Sequence, residues 1–187
     1  MKKFHQLILD STRLDLQVVV KRELVGFDST ALWECCLLPE GLPKGVCLWV
    51  KDGLVADYLG NPLSWPICSV RLCALLESRA GTHFQTLGAP VFDRLNRPVP
   101  SYKLLNILTR LDCLDWERSN VTYMTIEGKH IPCINKFVLR ESRVPADVHF
   151  FRIEGDISAV FISDTLAQSM VGKGFTGLAL VQTSSSP

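Results

Sequence analysis

The sequence predicts an α+β fold in which mixed or antiparallel sheets are combined with a few short helices. Short apolar segments rich in β-branched and aromatic residues recur along the chain, and Gly- and Pro-rich turns separate them, as expected for strands. Two segments instead show helical spacing, and each begins with a serine that follows a short apolar run. With 187 residues, 47% of them hydrophobic and 21% charged, the chain is long and apolar enough to bury a core.

The first quarter of the chain is predicted to be rich in strands. Alternation and β-branched residues indicate a strand at 14–20, and an apolar run indicates a buried strand at 46–50. A loop rich in proline and glycine at 39–45 separates them. Asp52-Gly53 is a hairpin signal directly after the second strand. We therefore treat residues 1–55 as a strand-rich N-terminal region.

Two strand–helix units resemble each other. Ser69 and Ser163 each follow a short apolar run, and each is followed by apolar residues three and seven positions later. We expect both serines to cap helices, the first ending at Gly81 and the second at Gly172 and Gly174. An internal duplication explains the pattern, and so does the general frequency of capped amphipathic helices. The sequence leaves both explanations open.

The rest of the chain is predicted to form further strands. Residues 102–108 fit an extended or a short helical element. The remaining strands are predicted from composition and turn signals at 121–126, 137–139, 150–153, 160–162 and 178–181. We expect residues 56–183 to form an α+β domain that packs with residues 1–55 into one compact unit. We expect the polar tail 184–187 to be frayed.

Charge and cysteine content indicate the kind of partner and the cellular compartment to expect. The net charge is +1, with nine basic and nine acidic residues in 1–90 and eleven and ten in 91–187, so the charge balance favours no direct nucleic-acid partner. Seven cysteines, an odd number that lie mostly in apolar runs, indicate reduced buried thiols. Neither a signal peptide nor an 18-residue apolar stretch is recognisable, so we expect a cytoplasmic protein without a membrane segment.

The sequence predicts no catalytic residue, no cofactor and no metal site. The four histidines and seven cysteines lack the spacings typical of zinc ligands. A nucleophile at Cys113 or Cys133 with a base at His130 or His149 is possible on paper, but no local signature of a reactive cysteine accompanies it. The glycine-rich stretch 172–177 follows a helix instead of preceding one, which favours a C-terminal cap and turn over a phosphate site.

Three acidic residues are grouped at Asp112, Asp115 and Glu117. The group is compatible with a solvated turn or helix cap, with an interface patch, or with a metal site. A metal site needs a fourth ligand, which the neighbouring sequence does not supply. A solvated turn is the default, because charged residues mostly stay at the surface.

Three stretches of the chain together resemble the Imm11 (DUF1629-like) family of immunity proteins from bacterial polymorphic toxin systems. The first is Ala56-Asp57-Tyr58-Leu59 followed by Pro66 to Glu77. The second runs from Tyr102 to Asp115. The third runs from His149 through Ile162-Ser163-Asp164 to Leu178. Together they span about residues 56–181.

The resemblance implies a protein that binds and neutralises a cognate toxin, such as a nuclease effector delivered by type VI secretion, with no catalytic residues of its own. If the toxin is a nuclease, an acidic patch is expected to face its basic cleft, and Asp112, Asp115 and Glu117 are the candidates for this toxin-binding patch. Partner specificity is then expected in 1–55, which the resemblance does not cover. The sequence does not give the oligomeric state. A small Cys- or His-dependent enzyme and an adaptor domain of a secretion system remain alternative hypotheses.

Overall fold

Strands form most of the regular structure in the computed structural model. It describes residues 2–10, 12, 18–21, 31–38, 47–50, 56–61, 63–89, 91–99, 102–126 and 128–186. The strands in these residues are β1 Phe4–Leu9, β2 Val18–Lys21, β3 Cys47–Val50, β4 Tyr58–Leu59, β5 Ile67–Ser69, β6 Phe84–Gly88, β7 Val91–Phe92, β8 Tyr102–Ile107, β9 Arg110–Leu111, β10 Asn120–Ile126, β11 Lys129–Lys136, β12 Val138–Arg140, β13 Phe150–Ile153, β14 Asp156–Ser163, β15 Leu178–Gln182 and β16 Ser184–Ser186. The helices are α1 Val70–Ala80 and α2 Asp164–Gly172.

Two larger sheets carry both helices. One has five strands in the order β15-β1-β14-β13-β9, and the other has four in the order β4-β5-β8-β6. A three-stranded sheet has the order β2-β3-β7, and β10-β11 and β12-β16 form two-stranded sheets. Most neighbours are antiparallel, whereas β9–β13, β3–β7 and β12–β16 are parallel pairs. The predicted α+β class with mixed sheets is confirmed.

Both helices start as the serine pattern predicts. The Ser69 hydroxyl accepts a hydrogen bond from the Leu72 amide at 3.1 Å, and the Ser163 hydroxyl accepts one from the Leu166 amide at 3.3 Å. Each serine is the last residue of a strand, so the chain leaves β5 or β14 and enters a capped helix at once. The cap satisfies an amide that the helix itself leaves without a partner. The two strand–helix units are therefore alike in their hydrogen bonding as well as in sequence.

The strands place side chains alternately into different parts of the core. On β14, Val160 and Ile162 join a central cluster with both helices, whereas Phe161 joins an outer cluster on the other face. On β8, Leu105 lies in the central cluster and Leu104 in a second outer cluster. Strands β14 and β8 are thus buried on both faces, which explains their apolar runs at 160–162 and 104–105.

The Asp57 carboxylate joins three separate segments. It accepts hydrogen bonds from the Ser69 hydroxyl at 2.7 Å, from Arg71 Nη2 at 2.7 Å and from the Thr176 amide at 3.0 Å. Burial alone would raise the pKa of the Asp57 carboxyl, but the hydrogen bonds from Arg71, Ser69 and Thr176 outweigh it and hold the pKa below its ordinary value. The start of α1 is thereby fixed to the loop that follows α2.

The loop after α2 also approaches the Asp57 segment through its backbone. The Tyr58 amide donates to the Thr176 carbonyl at 3.1 Å. Gly177 has a φ of +81°, and a Cβ atom at this position would lie 2.3 Å from the Tyr58 carbonyl oxygen. Only glycine permits both this backbone conformation and this close approach.

The structure decides one open sequence prediction and contradicts another. Residues 102–107 are a strand, which decides between the extended and helical alternatives. The expectation of a frayed tail is wrong for 184–186, because Ser184–Ser186 pair in parallel with Val138–Arg140. The Ser186 hydroxyl donates to Asp115 at 2.8 Å, a contact that composition alone does not reveal. Pro187, the predicted hairpin turn at 52–53 and residues 14–17 of the first predicted strand lie outside the described residues.

We expect the substitution Asp57→Asn to destabilise the protein by about 1–3 kcal/mol at pH 7, because it removes the charged acceptor shared by a buried hydroxyl, an arginine and a backbone amide. The folded-state pKa of Asp57 is lowered, so its contribution is fully present above the unfolded-state pKa of about 4 and disappears as the pH falls through the folded-state pKa. The difference in unfolding free energy between wild type and variant should therefore shrink as the pH falls from about 5 toward 2. Urea denaturation at each pH measures this difference.

The exposed carboxylate Asp147 provides the control. Asp147→Asn should leave the unfolding free energy within about 0.5 kcal/mol of wild type. A difference between wild type and Asp57→Asn that stays the same at pH 7 and pH 3 would contradict the assignment of an ionised Asp57 to this role.

Candidate protein-binding surface

The three acidic residues of the predicted patch lie in different environments. Asp115 is buried, with 6% of its surface exposed, and its carboxylate accepts hydrogen bonds from the Ser186 hydroxyl at 2.8 Å and the Arg118 amide at 3.3 Å. The Ser186 hydrogen bond is the main cause that holds the pKa of Asp115 below its ordinary value. The Asp115 carboxylate therefore fixes the C-terminal strand to the chain at 115–118.

The other two acidic residues are exposed. Asp112 accepts a hydrogen bond from Arg143 Nη1 at 2.8 Å, so a neighbouring cation offsets part of its charge. Glu117 follows Trp116 in the turn at 116–118. The structure therefore does not bring the three carboxylates together into one acidic surface. Asp112 and Glu117 remain candidates for partner contacts.

Trp116 lies beside these residues and is 39% exposed. Its indole ring covers Gly155, which has a φ of +95°; a Cβ atom at this glycine would lie 2.6 Å from Trp116 Cζ2. Gly155 thus makes room for the indole ring against the turn between β13 and β14. Half-exposed tryptophans are common anchors in protein interfaces, because they provide a large contact area at little cost in conformational entropy.

The hairpin formed by β10 and β11 carries the most exposed apolar side chains near Trp116. Its register pairs Met124 with Ile131 and Tyr123 with Pro132. Cross-strand partners share a face and successive residues alternate, so these two pairs lie on opposite faces. Tyr123 is 63% exposed, Met124 53% and Ile131 41%. Apolar side chains on both faces of this hairpin are therefore open to solvent.

The base of the hairpin is fixed to the core. Ile134 packs against the outer cluster that contains Phe161, and Val121, its cross-strand partner, is half-buried. Beyond this pair, residues 122–125 and 130–131 are exposed. The hairpin therefore extends from the outer cluster into solvent.

The geometry does not support the alternative hypothesis of a Cys113 nucleophile or of a Cys133–His130 pair. Cys113 is fully buried, and burial raises the pKa of its thiol to about 12, which opposes formation of the reactive thiolate. On the hairpin, Cys133 pairs with Thr122 and His130 pairs with Thr125. Because Cys133 and His130 are three residues apart on one strand, they point to opposite faces.

A serine–histidine pair does occur at the start of α2. Ser163 Oγ and His149 Nδ1 are 2.8 Å apart, and both line a cavity of about 340 Å³ together with Lys3 and Asp164. The same Ser163 hydroxyl caps α2, as the Ser69 hydroxyl caps α1 while bonded to Asp57. Each serine thus caps a helix while hydrogen-bonded to a second side chain, and this shared capping favours a structural role for the Ser163–His149 contact.

The described part of the chain contains no group of three or more His, Cys, Asp or Glu side chains that could hold a metal ion. No helix within the described ranges is long and apolar enough to cross a membrane.

A comparison with protein families shows which family the chain belongs to. The sequence model of the immunity protein family (Imm11) matches residues 45–185, which is three quarters of the chain. The chain belongs to the Imm11 immunity protein family. No curated protein matches the chain.

The matched region includes both strand–helix units, Trp116 and the β10–β11 hairpin. The predicted resemblance to Imm11 is confirmed, and the match begins at residue 45, eleven residues before the resemblance seen in the sequence. The prediction that 1–55 determines specificity stays a prediction, since much of that region lies outside the described residues.

Sequence reasoning missed the hairpin as a unit. The sequence predicts the strand at 121–126. It does not predict a strand at 129–136, where the structure has β11. Pro132 within this segment is a usable signal, because proline within a strand is confined to edges and short hairpins. The exposure of the apolar side chains could not be predicted, since the same residues in a covered strand would be core.

We expect iodoacetamide to label the native Imm11 protein fastest at Cys36, which is exposed, and not at Cys113 or Cys68, which are fully buried. Burial raises the pKa of both of the latter thiols and denies access to the reagent. Peptide mass spectrometry after timed alkylation measures the order. In urea all seven cysteines should react, which is the control for peptide detection. Rapid native labelling of Cys113 would revive the nucleophile hypothesis.

Proposed function

We propose that this Imm11 protein is a cytoplasmic immunity protein that binds a cognate toxin and neutralises it by occupying the toxin's active site or substrate groove. The family match over residues 45–185 is the observation that carries the proposal. We further propose that the toxin is a secreted effector of bacterial competition, such as a nuclease delivered by type VI secretion. Neutralisation by binding requires no cofactor, no direct contact with nucleic acid and no membrane.

The chemistry of the described residues supports inhibition by binding over catalysis. The Cys113 thiol is buried with a raised pKa, and Ser163 serves as a helix cap. A protein that only blocks another protein needs complementary shape and a few anchoring side chains, typically aromatic, Arg or apolar residues at the centre of the contact. Trp116 and the hairpin provide side chains of this kind.

We propose that Asp112 and Glu117 contribute charge at the edge of the contact, with Asp115 supporting the turn between them from inside. Charges at the rim of an interface mainly raise the association rate and add little affinity. An acidic rim suits a toxin with a basic substrate cleft, as a nuclease has. The substitutions Asp112→Ala and Glu117→Ala together should therefore slow association more than they speed dissociation.

Co-expression tests this function. The protein encoded by the adjacent open reading frame should stop growth when produced alone in the cytoplasm, and co-production of the Imm11 protein should restore growth. The variant Ser163→Ala should still protect, because the serine is assigned to a cap and not to catalysis. Continued growth arrest in the presence of folded wild-type protein would overturn the proposal, and loss of protection in a folded Ser163→Ala variant would favour the enzyme alternative.

A further inference from the structure

We propose that the β10–β11 hairpin is the anchor of the toxin contact and inserts into an apolar groove on the folded toxin. This inference rests on the proposed function, because immunity-family membership supplies the partner. It goes further by naming the element that makes the contact and the chemistry of the surface that receives it.

Exposure is the first argument. Tyr123, Met124 and Ile131 are all apolar or aromatic and all more than 40% exposed on one short hairpin. Scattered exposed apolar side chains are normal on a protein surface, but adjacent ones on a projecting element typically mark a binding site. Trp116, also exposed, belongs to the turn that immediately precedes β10.

The second argument is that apolar side chains lie on both faces of the hairpin, which indicates the shape of the partner's surface. Met124 and Ile131 lie on one face, and Tyr123 and Pro132 lie on the other. A flat surface, or a symmetric contact with a second copy of this chain through one face, would leave the opposite face in water. A groove with two apolar walls covers both faces at once. The partner surface is therefore a cleft, and clefts are where toxins bind their substrates.

Stability is the third argument. β10 and β11 form a sheet of two strands, and among the described residues no third strand joins them. The part of a two-stranded hairpin that projects beyond its packed base is marginally stable in water. Beyond Ile134 and Val121 the hairpin has about four residues per strand, or roughly 13 Å of projecting length. Insertion into a groove would bury this segment and supply the contacts that it lacks in the free protein.

Charge is the fourth argument, because the hairpin lacks the negative charge that Asp112 and Glu117 provide. Residues 120–136 contain Glu127, Lys129 and Lys136 and hence a net charge of +1 with neutral His130. This segment does not mimic the negative charge of a nucleic acid. The dissociation rate of a contact anchored by the hairpin should therefore depend little on salt, whereas an association rate set by Asp112 and Glu117 should fall with salt.

The test measures binding of the Imm11 protein to a catalytically inactive form of the protein encoded by the adjacent open reading frame. The variants Tyr123→Thr and Met124→Thr/Ile131→Thr remove apolar area from each face in turn while keeping a residue with high strand propensity. We expect each to weaken the Kd by at least about 30-fold, as hot-spot truncations do. Raising NaCl from about 50 to about 500 mM should change the wild-type dissociation rate by less than about threefold.

The matched control is Val181→Thr, which makes the same kind of change at a residue on β15 that is 47% exposed. It should bind like wild type. Circular dichroism and urea denaturation establish that each variant is folded, and a variant that unfolds is replaced by Tyr123→Phe/Met124→Gln, which should still weaken binding by about tenfold or more.

The outcomes separate the two proposals. If wild-type protein does not bind the adjacent protein, the proposed function and the hairpin inference both fail. If wild type binds and the hairpin variants bind within about threefold of it, only the hairpin inference fails. If the hairpin variants convert a dimer to a monomer without changing the Kd for the adjacent protein, the groove belongs to a second copy and the inference is overturned.

Discussion

The Asp57 carboxylate is the constraint on which the arrangement of the two strand–helix units depends. Three donors from two distant parts of the chain converge on it: the Ser69 hydroxyl and the Arg71 guanidinium at the start of α1, and the Thr176 amide in the loop after α2. The start of α1 and the loop after α2 are more than 100 residues apart, so no local interaction could fix their relative position. A buried acceptor with several donors is costly to leave unsatisfied, which makes this arrangement specific as well as stable.

The packed core fixes the base of the proposed binding element. The apolar side chains of β14 and β8 are divided between a central and two outer clusters. The hairpin begins where one outer cluster ends, with Ile134 as the last side chain packed against it. A binding element fixed at its base loses less conformational entropy on association than a free loop would.

Local patterns predicted the local structure, and long-range contacts escaped prediction. The serines at 69 and 163 define capped helices because the cap involves residues three apart. The ambiguity at 102–107 was resolved by pairing with β5 and β6, which no local pattern encodes. The tail at 184–186 was misjudged because its polar residues pair with β12 and with buried Asp115. Likewise Asp115 was grouped with Asp112 and Glu117 by spacing alone, and its burial depends on the C-terminal strand.

Hydrogen exchange of the complex tests the central claim, that the β10–β11 hairpin is the surface by which this Imm11 protein holds its toxin. Amide exchange is measured by mass spectrometry for the free protein and for its complex with the inactive toxin. Peptides covering 120–136 should exchange rapidly in the free protein, because a two-stranded hairpin opens easily, and slow markedly in the complex. Unchanged exchange at 120–136 together with protection at another surface would contradict the account.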